Sequence, residues 1–199
     1  MIIISFDLST VACGYAVFEN EKLIESGTIK ARKDNDKLGK RLSVLKSGIT
    51  KVLTLSPDRE INYIVSEKPL FFGGKNKPFS LGAIHGLLKM ICYEEELPEV
   101  KEIDNKKWKK HIAGGGVSKE KTKDFLERVR GIKTKTFDES DAVGIAIGWM
   151  AEEKYKTTIE KMGVKMPLPK KRSKKMNKIT MKKSLPSTCL FKLKKEKGI

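Results

Sequence analysis

Residues 2–30 read IIISFDLSTVACGYAVFENEKLIESGTIK, and this stretch decides the fold. Ile2-Ile3-Ile4-Ser5-Phe6 is short, β-branched and almost continuously apolar, the composition of a strand covered on both faces of a sheet. It ends on Asp7. Gly14-Tyr15-Ala16-Val17-Phe18 reads as a second strand and residues 22–30 as a third, joined through the polar turn Glu19-Asn20-Glu21. Three consecutive strands with connections this short form an antiparallel meander.

Downstream, the period changes. Leu38, Leu42, Leu45, Ile49 and Val52 recur at spacings of four, three, four and three, which predicts an amphipathic helix. Residues 62–66, NYIVS, form another short strand that ends at Glu67. A loop containing Gly, Pro and Lys follows, then Leu81, Ile84, Leu88 and Ile91 mark a second helix. Residues 99–103 form a last strand, and polar, basic helices begin near Ser118 and near Asp138. The expected architecture is α/β: a mixed five-stranded sheet, the three-strand antiparallel meander plus two parallel strands added through helical crossovers, flanked by helices.

The chain has 199 residues, about one domain plus a remainder. Its 42 Lys and Arg against 25 Asp and Glu give a net charge of +17, which points to a polyanion as partner, nucleic acid before an anionic membrane. The charge is uneven. From residue 151 onward 16 basic residues face 4 acidic ones, a net of +12, whereas residues 1–150 carry only +5. From Gly163 the composition shifts to Lys, Met, Pro and Ser, and PLPKKRSKKMNK has no amphipathic period. The expected division is a folded domain over 1–155 and a basic, disordered tail over 156–199.

No apolar run approaches the ~18–20 residues of a membrane span, and MIIISF is too short and lacks the basic start of a signal peptide. An intracellular, cytoplasmic location without membrane attachment is expected, although the run KKRSKK at 170–175 also fits nuclear import. Cys13, Cys92 and Cys189 are isolated, and with His85 and His111 they have no zinc-ligand spacing.

Acids close the two central strands, Asp7 and Glu67, and a further pair, Asp138 and Asp141, lies three apart at the head of an apolar helix. Neighbouring strands are ~4.8 Å apart, so Asp7 and Glu67 can stand side by side. Asp138 and Asp141 share a helix face. Thr136 with Glu139 also fits a capping box, which would make both Asp residues simple partners of the helix dipole. Four carboxylates converging on one sheet edge are costly without a cation, and oxygen-only ligands select Mg²⁺ or Mn²⁺. Two such ions bridged by a carboxylate can activate a water and stabilise the leaving oxygen of a phosphodiester. Charge and acids together point to a nuclease.

Phe6-Asp7-Leu8-Ser9-Thr10 followed by Gly14-Tyr15-Ala16-Val17 resembles the opening of the RuvC-type Holliday junction resolvases, including their phage and poxvirus members. Ile64-Val65-Ser66-Glu67 resembles their second motif and Asp138-Glu139-Ser140-Asp141-Ala142 their last, over about residues 1–150. The resemblance implies an RNase H-like fold with two metal ions, Mg²⁺ or Mn²⁺, held by catalytic Asp7, Glu67, Asp138 and Asp141. It also implies a homodimer that nicks opposed strands of a four-way junction, a branched DNA whose symmetry suits a two-fold enzyme.

The resemblance places a junction-entering loop just past Glu67, where Phe71 or Phe72 could stack on an unpaired base and Lys75 and Lys77 could meet phosphates. Farther on, Lys109 and Lys110, then Lys119 and Lys121 after the turn Gly114-Gly115-Gly116, match the family's basic, Gly-rich approach. An offset of about one residue leaves the equivalence of Lys119 and Lys121 open. Trp108 reads as core. The alternatives are an RNase H-like nuclease acting on flaps, forks or RNA, and a non-catalytic nucleic-acid-binding protein whose acids are structural.

Overall fold

The computed structural model describes residues 1–31, 37–55, 60–69, 77–113 and 118–161. Strands β1 (Ile2–Asp7), β2 (Ala12–Glu19) and β3 (Lys22–Lys30) are followed by α1 (Leu38–Leu53), β4 (Ile61–Glu67), α2 (Lys77–Glu94) and β5 (Val100–Ile103). Helices α3 (Asn105–Ala113), α4 (Lys119–Arg130) and α5 (Phe137–Lys161) complete the order. The five strands lie in one sheet as β3-β2-β1-β4-β5. β1–β2 and β2–β3 are antiparallel, while β1–β4 and β4–β5 are parallel, the mixed sheet expected.

Alternation along β1 divides the core in two. Ile2, Ile4 and Phe6 join Leu45, Ile49, Ile84 and Leu88 of α1 and α2 on one face. Ile3 joins Ala16, Val65, Trp108, Leu126 and the apolar residues of α5 on the other. Both crossover helices therefore cover one face of the sheet, and the three later helices cover the opposite one. This explains why the central strand is almost all apolar: Ile2, Ile3, Ile4 and Phe6 are each at most 4% exposed. The β2–β3 hairpin turns through Asn20 and Glu21, both at positive φ (46° and 72°), the backbone of a tight two-residue loop.

α3 is the element that hydrophobic periodicity does not announce. Its sequence NKKWKKHIA holds only Trp108, Ile112 and the terminal Ala113 as apolar residues, too few to set a period. α5 is buried nearly all round from Ala142 to Met150, since it lies between the sheet and α3 and α4. It runs to Lys161, so residues 156–161 are helical here, and the rest of the sequence-read tail lies outside the described residues. Among the described residues no helix is long and apolar enough to cross a membrane.

Candidate active site

The same alternation that divides the core aims the acids. Ser5 and Asp7 follow Ile3 on the face toward α5, and Ser5 Oγ donates to the Ala142 carbonyl at 2.7 Å, one residue past Asp141. Phe6 pairs with Ser66 in the parallel register, so the last residues of β1 and β4, Asp7 and Glu67, are neighbours. Across the other edge of β1, Asp7 pairs with Gly14. The backbone of Asp138 rests directly on Gly14: a Cβ there would run into the Asp138 carbonyl and come within 3.0 Å of the Glu139 nitrogen. Thr136 caps α5 by accepting from the Glu139 N–H at 3.1 Å, and Glu139 accepts from the Lys135 N–H at 2.8 Å. The capping box read from the sequence exists, with its return bond one residue earlier, and it orients the helix that delivers Asp138 and Asp141.

An ammonium lies among these acids. Lys119 Nζ is 3.4 Å from Asp138 Oδ1 and 3.2 Å from Asp141 Oδ2. Burial pulls the Lys119 ammonium down, but Asp141, Asp7 and Asp138 outweigh it and its pKa is raised. Glu67 is held differently. Asn105 Nδ2 donates to both of its oxygens at 2.9 Å and Trp108 Nε1 to Oε2 at 2.9 Å. Asp141, 5% exposed, keeps Oδ1 buried without a hydrogen-bond partner among the described residues. Burial, then Asp7 and Asp138, push the Cys13 thiol up, which disfavours its thiolate.

No protein-family model matches the chain, and no curated protein matches it in sequence. Solved structures do. The chain is similar to RuvC of Thermus thermophilus at 17% identity and a TM-score of 0.61, over 84% of this chain and 100% of that one. It is also similar to the same organism's RuvC in complex with a Holliday junction substrate, at 18% identity and a TM-score of 0.63, over 84% and 99%. The fold is that of RuvC. It has the mixed five-stranded sheet expected from the sequence, and the likeness covers the whole of that RuvC chain.

Within this RuvC fold the chemistry of the donor set fits a hard divalent cation. All four side chains offer oxygen only, one buried oxygen of Asp141 has no hydrogen-bond partner among the described residues, and the Lys119 ammonium pairs with the two α5 acids alone among them. In this conformation no three His, Cys, Asp or Glu side chains among the described residues are grouped tightly enough to ligate one ion. Lys119 lies against the two α5 acids, and Asn105 and Trp108 hold Glu67.

The shortage of positive charge is visible at Asp7. Its carboxyl is pushed up to about 7, first by burial, then by Asp141, with Glu67 and Asp138 adding to the rise and Lys119 opposing it. A folded pKa above the ordinary 3.8 means that the folded chain binds this proton more tightly than the unfolded chain. Stability without metal therefore rises as pH falls from about 7 toward 4. In EDTA, lowering pH from about 7.5 to about 5.5 should stabilise the native chain relative to Asp7→Asn by about 2 kcal/mol, roughly 4–8 °C in Tm. Parallel melting curves for the two proteins would remove this account of Asp7.

The other residues read from sequence are distributed as follows. Lys109 and Lys110 lie on α3, Lys121 on α4, and Lys77 opens α2. Phe71, Phe72 and Lys75 lie outside the described residues, as does the turn at 114–117. Lys119, read as a phosphate contact, sits in the acid cluster. Trp108 is fully buried as expected, but it also grips Glu67, and Asn105 was missed altogether. The available signal was their spacing: three apart at the head of one short helix, they share a face.

Proposed function

We propose that this chain is a metal-dependent, structure-selective endodeoxyribonuclease that resolves Holliday junctions and other branched DNA by paired nicking. The observation that carries the reading is the convergence of Asp7, Glu67, Asp138 and Asp141, from β1, β4 and α5, at one end of the central strands of a RuvC fold. Asp7, Glu67, Asp138 and Asp141 would hold Mg²⁺ or Mn²⁺, two ions per site. Such ions supply activation of a water and stabilisation of the leaving oxygen of a phosphodiester. The chain's own part is to concentrate carboxylates where burial and mutual repulsion push Asp7 up to about 7 and make a divalent cation welcome in place of the proton.

DNA is the polyanion that the basic surface serves. Lys109, Lys110 and Lys121 lie on the adjacent helices α3 and α4, and Lys119 already reaches the acids. Phe71, Phe72 and Lys75 stand in the sequence between Glu67 and α2, and Lys77 is the first residue of α2, where a junction would open. The tail adds salt-dependent phosphate affinity, and the site of action is the compartment that holds the DNA, cytoplasm or nucleus. A homodimer completes the proposal. On α2 the exposed residues Phe79, Gly82, Gly86, Met90 and Tyr93 recur at spacings of three, four, four and three, an apolar stripe suited to a second copy.

The test is to incubate the protein with an end-labelled four-way junction and Mg²⁺ or Mn²⁺ and to map the cuts. Paired nicks related by the junction's two-fold axis are expected. Cleavage confined to flaps, forks or RNA would assign the same site to another nucleic acid, and no cleavage of any branched substrate would leave a binding protein.

A further inference from the structure

The acids of the site are restrained by two different kinds of group. Asp138 and Asp141 are paired with the Lys119 ammonium. Glu67 has no ion pair among the described residues and is restrained by neutral N–H donors alone, two bonds from Asn105 Nδ2 and one from Trp108 Nε1, all at 2.9 Å. A neutral donor fixes the direction of a carboxylate without cancelling its charge, which an ammonium would do.

Both donors are themselves fixed. Asn105 and Trp108 lie three apart on α3, on the face turned to the end of β4. Helix α3 starts directly after β5, and the Lys68 N–H to Ile103 carbonyl bond of 2.8 Å ties the ends of β4 and β5 together. Trp108 is fully buried in a notch of α5 made by two glycines. A Cβ on Gly144 would come within 2.7 Å of the indole ring, and one on Gly148 within 2.5 Å of the Trp108 Cβ. A tryptophan needed only as core filler requires some acceptor for its N–H. Here the acceptor is a site carboxylate, and a second side chain from the same helix turn donates to that carboxylate too.

We propose that Asn105 and Trp108 are positioning residues. They clamp Glu67 in one orientation with its charge intact, so that the cation meets a preset ligand instead of ordering a free glutamate. This rests on the reading that the four acids hold a divalent metal. Groups that orient a metal ligand in this way change metal affinity by about 10–100-fold when removed.

The experiment measures Mn²⁺ binding to the full chain without DNA, by electron paramagnetic resonance of the free ion, for the wild type, Trp108→Phe, Asn105→Ala and Glu67→Gln. The same two substitutions are also made in the Glu67→Gln background. Trp108→Phe keeps an aromatic ring in the notch while removing the N–H and part of the indole volume, and Asn105→Ala leaves the Trp108 packing alone, so the second variant separates loss of the clamp from loss of packing. The expected result is a loss of about 10-fold or more in Mn²⁺ affinity for each, and no further loss once Glu67 is Gln. Unchanged affinity beside a wild type that binds, or an equal loss in the Glu67→Gln background, overturns the clamp alone. A wild type that binds no Mn²⁺ overturns the metal reading and the clamp with it.

Discussion

Asp7→Asn should abolish metal-dependent cleavage of a four-way junction, by about 10³-fold or more, while leaving junction binding in place. The substitution keeps the shape of the side chain and removes one charge from the place where the acids are most crowded. Asp7 is the group whose carboxyl feels Asp141, Glu67 and Asp138 together. A loss of that size corresponds to about 4 kcal/mol of transition-state stabilisation. Binding should persist because Lys109, Lys110 and Lys121 stand on other elements, and removing an acid beside a phosphate relieves repulsion. Single-turnover cleavage and fluorescence anisotropy on the same junction give the two readouts. Retained cleavage would take Asp7 out of the mechanism.

Gly14→Ala should be nearly as damaging to cleavage although it removes no functional group. The added methyl meets backbone, the Asp138 carbonyl and the Glu139 nitrogen, and backbone cannot rotate away as a flexible side chain can. Either β2 or the first turn of α5 must move, and since Gly14 pairs with Asp7, the separation of Asp7 from Asp138 changes in both cases. Overpacking of this kind costs about 1–3 kcal/mol, and a shift of about 1 Å in a reacting constellation costs about 10²-fold in rate. Gly39→Ala is the control: nothing among the described residues lies within 4 Å of a Cβ at that exposed position of α1, so it should stabilise by up to about 1 kcal/mol. A Gly14→Ala protein with native cleavage and native Tm would show that the contact between β2 and α5 does not set the site.

Much of the fold was legible because its signals are local. The alternation of Ile3, Ser5 and Asp7 against Ile2, Ile4 and Phe6 is a period of two that any strand imposes, and it places Asp7 on the α5 face whatever else the chain does. The spacing of Asp138 and Asp141 is likewise a helical property, as are Thr136 and Glu139 as its cap. Helix α3 was not legible, since a short helix with two buried residues is stabilised by what it packs against, here α5.

The sequence by itself therefore determined the two strand-end acids, the α5 pair, the three-strand meander with two parallel strands added by crossovers, and the excess of basic charge. Only the tertiary structure decided which groups serve those acids. Asn105 and Trp108 reach Glu67 across 38 and 41 residues, Ser5 reaches Ala142 across 137, and Lys119 meets Asp138 across 19. Periodicity reports how a residue faces its own element; which neighbour it then finds depends on how separate elements pack, and no local pattern encodes that distance.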